Sequence, residues 1–277
     1  MKVFSLYQQF FDFLDEVASQ PTQPSDKWPL FFDHYYGPHE EFLGAYFSHM
    51  PLIDSSALQG RVNAIKPADY AGLKALCALS PPEKMIKEAY ERCCRLASPP
   101  QELEVYLLIG FFSPEGFVMD FQGKPVIGFG LERFRDFRLF QVIFAHEYVH
   151  FLLRLTNAEV PKEKEIQYFL ISEGLATIFP SLVLPGFPLY DYFFFSKERL
   201  DWCQANEARL REIYRSERFS AQELMDFYLR GSPDLDLPAR VAKYLGYQAI
   251  KRYLARNPEA TLAALLLNRN LMLSIEI

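Results

Sequence analysis

Apolar residues recur at helical spacing through most of the chain, and most regularly in its second half. Positions three or four apart predict a helix over residues 136–155 and another over 162–179, joined by a short turn at 156–161. Further helices are predicted at residues 1–20, 67–79 and 82–96, and a series of C-terminal helices within 195–267, at 195–215, 220–229, 240–255 and 259–267. The chain is therefore predicted to be mainly helical.

A different pattern lies in the middle of the chain, where short apolar runs rich in β-branched and aromatic residues alternate with turn formers. These runs predict strands at residues 104–112, 117–121 and 125–134. Gly128 and Gly130 interrupt the last strand. Glycines at these positions suit a bulged edge strand, or a strand whose backbone another group approaches closely.

The order of these elements predicts an α+β fold, because a small mixed sheet at residues 104–134 lies between helical blocks rather than alternating with helices. The expected organisation is a helical and irregular region at residues 1–100, packed on a domain that spans 101–277. The chain has 277 residues, of which 50% are hydrophobic and 23% charged, as in soluble globular proteins.

Charge and cysteine content narrow the class of partner and compartment. A net charge of -6 without a basic stripe argues against nucleic acid as a partner. No apolar run reaches the ~18 residues of a membrane span. The four cysteines show no CxxC spacing, and the polar residues within the first helix interrupt any signal-peptide core. We therefore expect a cytoplasmic protein with free thiols and no membrane partner.

The sequence FAHEYVHFLL, residues Phe144–Leu153, places two histidines four positions apart inside the predicted helix 136–155. Residues four apart on a helix share one face, so His146 and His150 can ligate one metal ion. Glu147 lies about 100° around the helix from His146, within reach of a metal-bound water. Zinc lowers the pKa of such a water to roughly 7, and the carboxylate can take its proton. This HExxH arrangement predicts a zinc centre rather than two core histidines bonded to backbone.

A catalytic zinc centre needs a third protein ligand and one open position. Where metzincins carry a glycine and a third histidine, this chain has leucine and threonine, and no histidine follows His150. The third ligand is therefore predicted to be a carboxylate. Glu173 is the only acid in the apolar stretch 166–179 of the next helix, where an unpaired carboxylate is costly to bury. Asp191 and Asp201 are more distant alternatives.

The sequence HEYVH, followed on a second helix by SEGLA, resembles the gluzincin branch of the zincin-like metallopeptidases. It is nearest to uncharacterised bacterial families of predicted zinc-dependent proteases. The resemblance implies a Zn²⁺ ion held by His146, His150 and Glu173, with Glu147 as the general base. It also implies a zincin-like fold in which an edge strand of the sheet borders the active-site helix.

That implied edge strand agrees with the glycine-interrupted strand of the predicted sheet. A peptide substrate is expected to pair with its main chain at Ile127, Gly128, Phe129 and Gly130. A sheet strand with incidental glycines is the alternative.

Gluzincins also stabilise the oxyanion with a tyrosine or histidine from a later helix, and no later histidine exists here. The resemblance therefore implies a tyrosine, with Tyr244 preferred over Tyr247. Gly246 between them is expected to allow close approach to the active-site helix. Thr177, one turn after the predicted third ligand, is a candidate to hold that ligand in place.

Together these residues predict a zinc-dependent peptidase that acts on a peptide or protein substrate. Two alternatives stay open: a zincin-like module that binds zinc and a peptide with little or no turnover, and a zinc hydrolase of a non-peptide amide or ester. An intact Glu147 argues against the pure binding module, which has no chemical need for a general base.

Overall fold

The computed structural model describes residues 1–20, 25–48, 55–111, 114–156 and 159–277. Its strands are β1 (Lys2–Ser5), β2 (Glu104–Leu108), β3 (Gly116–Phe121) and β4 (Lys124–Gly130). Its α-helices are α1 (Leu6–Ser19), α2 (Trp28–Phe31), α3 (Glu40–Ser48), α4 (Ser55–Asn63), α5 (Ala71–Leu79), α6 (Pro82–Leu96), α7 (Phe140–Leu155), α8 (Glu165–Val183), α9 (Leu189–Phe193), α10 (Lys197–Ala205), α11 (Glu207–Arg215), α12 (Ala221–Arg230), α13 (Ala242–Arg256), α14 (Leu262–Leu267) and α15 (Arg269–Met272). Many helices and one small mixed sheet confirm the α+β prediction.

The chain divides into two compact units. The first consists of Met1–Glu88 and Pro100–Phe140, and the second of Ala89–Pro99 and Gln141–Ile277. This division differs from the predicted boundary near residue 100, because the sheet belongs with the N-terminal helices. The N-terminal helices are joined to the sheet through β1, which pairs in parallel with β2. The sequence pattern predicted these residues as part of the first helix.

The sheet of the first unit has the strand order β1-β2-β4-β3. β4 pairs in parallel with β2 on one side and antiparallel with β3 on the other. The prediction that β4 is an edge strand is therefore wrong. Its apolar residues from Val126 to Gly130 are buried, as expected for an interior strand covered on both faces.

Gly128 of β4 has a packing role. It lies opposite Phe117 of β3, and a Cβ at Gly128 would come 2.1 Å from Cζ of the Phe117 ring. The glycine is thus required by an aromatic side chain of the neighbouring strand. The predicted peptide-pairing role of Ile127, Gly128, Phe129 and Gly130 is contradicted, because both edges of this strand are already paired within the sheet.

The second unit is built around α7, α8 and α13. A 3-10 turn, Lys162–Lys164, precedes α8, and the helix runs past Pro180 to Val183, whereas the sequence pattern predicted its end at residue 179. Of the predicted turn at 156–161, residues 157 and 158 lie outside the described residues. Among those described, one helical stretch, Lys162–Val183, is long and apolar enough to cross a membrane, and 61% of its apolar window is buried in the fold.

α8 and α13 cross with their backbones in contact at two glycines. A Cβ at Gly174 would lie 2.2 Å from the carbonyl carbon of Gly246. A Cβ at Gly246 would lie 1.8 Å from the carbonyl oxygen of Leu170. Gly246 therefore permits close approach to α8, and not to α7 as predicted. This crossing sets which α13 side chains lie beside the predicted third ligand.

Candidate metal site

Helix α7 presents two histidines to the interior of the second unit. It contains neither proline nor glycine, and its apolar residues Phe144 and Phe151 are fully buried, so the helix is fixed by packing. His146 Nε2 and His150 Nε2 lie 3.3 Å apart. The side chain of His146 is 5% exposed and that of His150 24% exposed. Both ring nitrogens therefore point into one small, largely buried space.

Glu173 of α8 enters the same space. Its Oε2 lies 3.8 Å from His146 Nε2, and its Oε1 lies 3.4 Å from His150 Nε2. In a tetrahedral zinc centre with bonds of about 2.0–2.1 Å, neighbouring ligand atoms are roughly 3.3 Å apart. The three side chains, which we call the His–His–Glu cluster, thus lie close enough together that they could hold one metal ion. The structure brings together the three residues that the sequence predicted as metal ligands.

The orientation of His146 is set by a carbonyl group of α8. His146 Nδ1 donates to the Ala176 carbonyl oxygen over 2.7 Å, because a carbonyl can only accept. That oxygen lacks its usual helical donor, since the residue four positions later is Pro180, which has no N–H. The proline thereby frees an acceptor that fixes the tautomer and leaves Nε2 with its lone pair towards the cluster.

A lysine closes the cluster from the third helix. Lys243 Nζ lies 3.2 Å from His146 Nε2 and 3.7 Å from Glu173 Oε2. The side chain is 9% exposed. Both distances are close to the edge length of a tetrahedral centre. The lysine nitrogen therefore lies at a ligand-like distance from two of the three side chains of the His–His–Glu cluster.

The ring of Phe194 covers the lysine nitrogen. Its ring centroid lies 4.5 Å from Lys243 Nζ, a cation–π distance, and 5.2 Å from the His146 ring centroid. Phe194 follows α9 with φ 55° and ψ 41°, in the left-handed region that bulky residues avoid. Such a conformation persists only where surrounding contacts fix it. The contacts with Lys243 and His146 are among those that hold the ring over the cluster.

The charges of the cluster shift its acid–base equilibria. Burial would raise the pKa of Glu173, but Lys243, His150 and His146 hold it below its ordinary value. Burial lowers the pKa of His146 well below its ordinary value, and Lys243 and His150 lower it further. An ionised carboxylate and a neutral imidazole result, and these are the forms that bind a metal ion.

The other two groups shift under opposing influences. Burial would lower the pKa of His150, but its hydrogen bond to Glu173 and the charge of that carboxylate raise it overall. Burial lowers the pKa of Lys243, although Glu173 and Glu147 oppose the shift. The negative charge of Glu147 thus acts on both cationic groups, which agrees with its predicted place beside the cluster.

Two further predicted residues have other roles. Thr177 Oγ1 donates to the Glu173 carbonyl oxygen over 2.8 Å and does not hold the carboxylate. The Tyr244 hydroxyl donates to Glu207 Oε2 over 3.0 Å and accepts from Gln248 Nε2 over 2.8 Å. Burial raises the pKa of Tyr244 to about 12. Its hydroxyl belongs to the Glu207 network, so the predicted oxyanion role gains no support from these contacts.

The alternative tyrosine is likewise engaged elsewhere. The ring of Tyr247 packs against Phe193, with ring centroids 5.0 Å apart, and Lys251 Nζ lies 5.4 Å from the Tyr247 ring centroid. The residue of α13 that reaches the cluster is Lys243, which immediately precedes Tyr244 in sequence. Sequence reasoning missed it, although a lysine within the apolar run VAKYLG was a usable signal.

The comparisons with known proteins match part of the second unit. Residues 145–273, a little under half of the chain, match the model of a family described as Gliding motility protein GldB. The matched range contains every residue of the His–His–Glu cluster and Lys243. Neither the comparison with curated proteins nor that with solved structures gave a match.

This match overturns several predictions. The family is one of gliding-motility proteins and not of peptidases, so the gluzincin assignment drawn from HEYVH and SEGLA is wrong. The predicted function, hydrolysis of peptide bonds, and the predicted enzyme class, a zinc metallopeptidase, are therefore also wrong. The family label marks lipoproteins, which contradicts the predicted cytoplasmic location. The HExxH motif by itself does not distinguish a peptidase from a different protein with a similar cluster of side chains.

Proposed function

We propose that this protein is a non-enzymatic component of a gliding-motility system in the cell envelope, with a metal site in its helical second unit. The match to the Gliding motility protein GldB family over residues 145–273 supports the system and the location. The metal proposed for the site is zinc, because two imidazoles and one carboxylate form a donor set that zinc favours. Its proposed ligands are His146, His150 and Glu173.

The position of Lys243 supports the proposal that the metal site is not catalytic. A hydrolytic zinc centre keeps its fourth position for the water that attacks the substrate. Here Lys243 Nζ lies 3.2 Å from His146 Nε2 and 3.7 Å from Glu173 Oε2, under the ring of Phe194. A site closed in this way favours a structural metal over one that activates water.

A structural metal would act by joining helices that are distant in sequence. His146 and His150 lie on α7, and Glu173 lies on α8. An ion bound to all three would bind the folded chain only, because the unfolded chain does not hold the ligands together. Its binding free energy would therefore add to the free energy of unfolding of the second unit.

Zinc content and thermal unfolding of the purified protein test this proposal. We expect one zinc ion per chain after dialysis against zinc, and a melting temperature that falls on chelation. Glu173→Gln should lower the zinc affinity by more than about 100-fold, since it removes an anionic ligand. His34→Ala, which removes a histidine from the first unit, should leave zinc affinity unchanged. A wild-type protein that binds no zinc, or one whose affinity Glu173→Gln leaves intact, would refute the metal site.

A further inference from the structure

Four arginines line a cavity of about 290 Å³ elsewhere in the second unit. Arg211 and Arg215 lie four residues apart on α11, and Arg252 and Arg256 lie four residues apart on α13. Residues at this spacing share a helix face. Two cationic faces therefore line one cavity, which we call the arginine pocket.

Protein groups satisfy only some of these guanidinium groups. Arg252 Nη1 donates to Glu207 Oε1 over 2.7 Å, and Arg215 Nη2 donates to the Ile277 carbonyl oxygen over 3.1 Å. Arg211 Nε and Arg252 Nη2 are buried, and neither has a hydrogen-bond partner among the residues that the structure describes. Buried donors without an acceptor are costly, and more so when they carry charge.

The four positive charges also repel one another. Burial lowers the pKa of Arg211, and the charges of Arg252 and Arg215 lower it further. Among the side chains that line the cavity, that of Glu276 is the one acid, and Glu207 outside the lining pairs with Arg252. Like charges at i,i+4 destabilise a helix, and here two such pairs share one cavity. A multiply charged anion in the cavity would relieve this repulsion.

We propose that the arginine pocket binds a phosphate group, either free or carried on a small molecule or lipid headgroup. A phosphate offers two negative charges and three or four acceptor oxygens, which match several guanidinium forks better than one carboxylate does. A cavity of about 290 Å³ lies at the small end of ligand pockets, so a compact anion suits it. The site is independent of the His–His–Glu cluster and shares no residue with it.

Calorimetric titration of the full chain with inorganic phosphate, at constant ionic strength, tests the pocket. We expect saturable binding of one phosphate per chain. The double variant Arg211→Gln/Arg256→Gln should weaken it by at least about tenfold, because two charge-assisted contacts are lost. The matched control Lys251→Gln/Arg230→Gln removes two exposed charges outside the pocket and should change affinity less than about twofold.

Thermal unfolding in phosphate-free buffer separates a lost ligand contact from a damaged fold. There Arg211→Gln/Arg256→Gln should melt at or above the wild-type temperature, since repulsion is relieved. Equal weakening of phosphate binding in both double variants would reveal a non-specific charge effect and overturn the pocket. So would the absence of saturable binding to the wild type, provided that phosphatidate vesicles do not bind either.

Vesicle sedimentation distinguishes the two sources of the phosphate. Vesicles of phosphatidylcholine with phosphatidate present a phosphomonoester headgroup, and pure phosphatidylcholine vesicles serve as the control. Binding to the first alone, reversed by free phosphate and lost in Arg211→Gln/Arg256→Gln, would identify a headgroup site. Calorimetric binding of free phosphate without vesicle binding would identify a soluble ligand, and both outcomes support the pocket.

Discussion

The His–His–Glu cluster and the arginine pocket lie in the same helical unit but differ in the balance of their charges. In the cluster, Lys243 lies 3.7 Å from Glu173, so a cation and an anion of the chain neutralise each other. In the arginine pocket, cations gather around a cavity and two buried donors find no acceptor among the described residues. In the first arrangement the charges of the chain balance each other, and a metal ion bound there would be repelled by the lysine. The second is incomplete without an anion.

Helix α13 connects the two sites, since it carries Lys243 near its start and two of the four pocket arginines near its end. Its position depends on the backbone contact with α8 at Gly246. A change at the crossing of α8 and α13 should therefore affect both sites, whereas a change within either site should leave the other intact.

Gly246→Ala should destabilise the protein by at least about 3 kcal/mol, because a Cβ cannot overlap a backbone oxygen and the helices must separate. The new atom would lie 1.8 Å from the Leu170 carbonyl oxygen. Chemical denaturation measures the effect, and zinc and phosphate binding should both weaken. Gly72→Ala is the control, because nothing lies within 4 Å of a Cβ at that helical glycine. Equal stability of the two variants would contradict the close crossing.

Lys243→Met should tighten zinc binding by at least about tenfold. A unit charge about 4 Å from another contributes about 4 kcal/mol at an effective dielectric constant of 20, so removing the lysine favours an incoming cation. Competition titration with a zinc chelator measures the change. Lys251→Met, on the exposed side of the same helix, should alter zinc affinity by less than about twofold. Weaker zinc binding in Lys243→Met would indicate that the lysine supports the metal instead of competing with it.

Pro180→Ala should lower zinc affinity by up to about tenfold, because an N–H at position 180 would compete with His146 for the Ala176 carbonyl oxygen. The same substitution should not lower the melting temperature, since it restores a helical hydrogen bond. Zinc titration and thermal unfolding of one sample give both values. Unchanged zinc affinity would mean that the freed carbonyl does not determine the orientation of the histidine.

The sequence was sufficient for those parts of the site that depend on local spacing. His146 and His150 share a face because they are four residues apart, and Glu173 was found because an acid in an apolar helix needs a partner. Lys243 was missed because its place depends on a helix crossing formed 97 residues away from His146. The free carbonyl of Ala176 could have been anticipated, since Pro180 lies four residues later.

The fold, like the site, was predictable where it depends on local sequence and not where it depends on contacts between distant residues. The long helices follow from periodicity, and α6 was predicted at its observed bounds. The position of β4 was not predictable from its glycines, because a glycine beside an exposed edge and a glycine under Phe117 look alike in sequence. β1 was missed because four residues become a strand only through pairing with β2, about a hundred residues later.

The most direct test of the central proposal, a metal site closed to catalysis, is a turnover measurement on the zinc-loaded protein. Wild type and Glu147→Gln would be incubated with a peptide library, and cleavage would be read by mass spectrometry. We expect one zinc ion per chain and no cleavage above the chelated control in either protein. Zinc-dependent cleavage by the wild type that is lost in Glu147→Gln would contradict it.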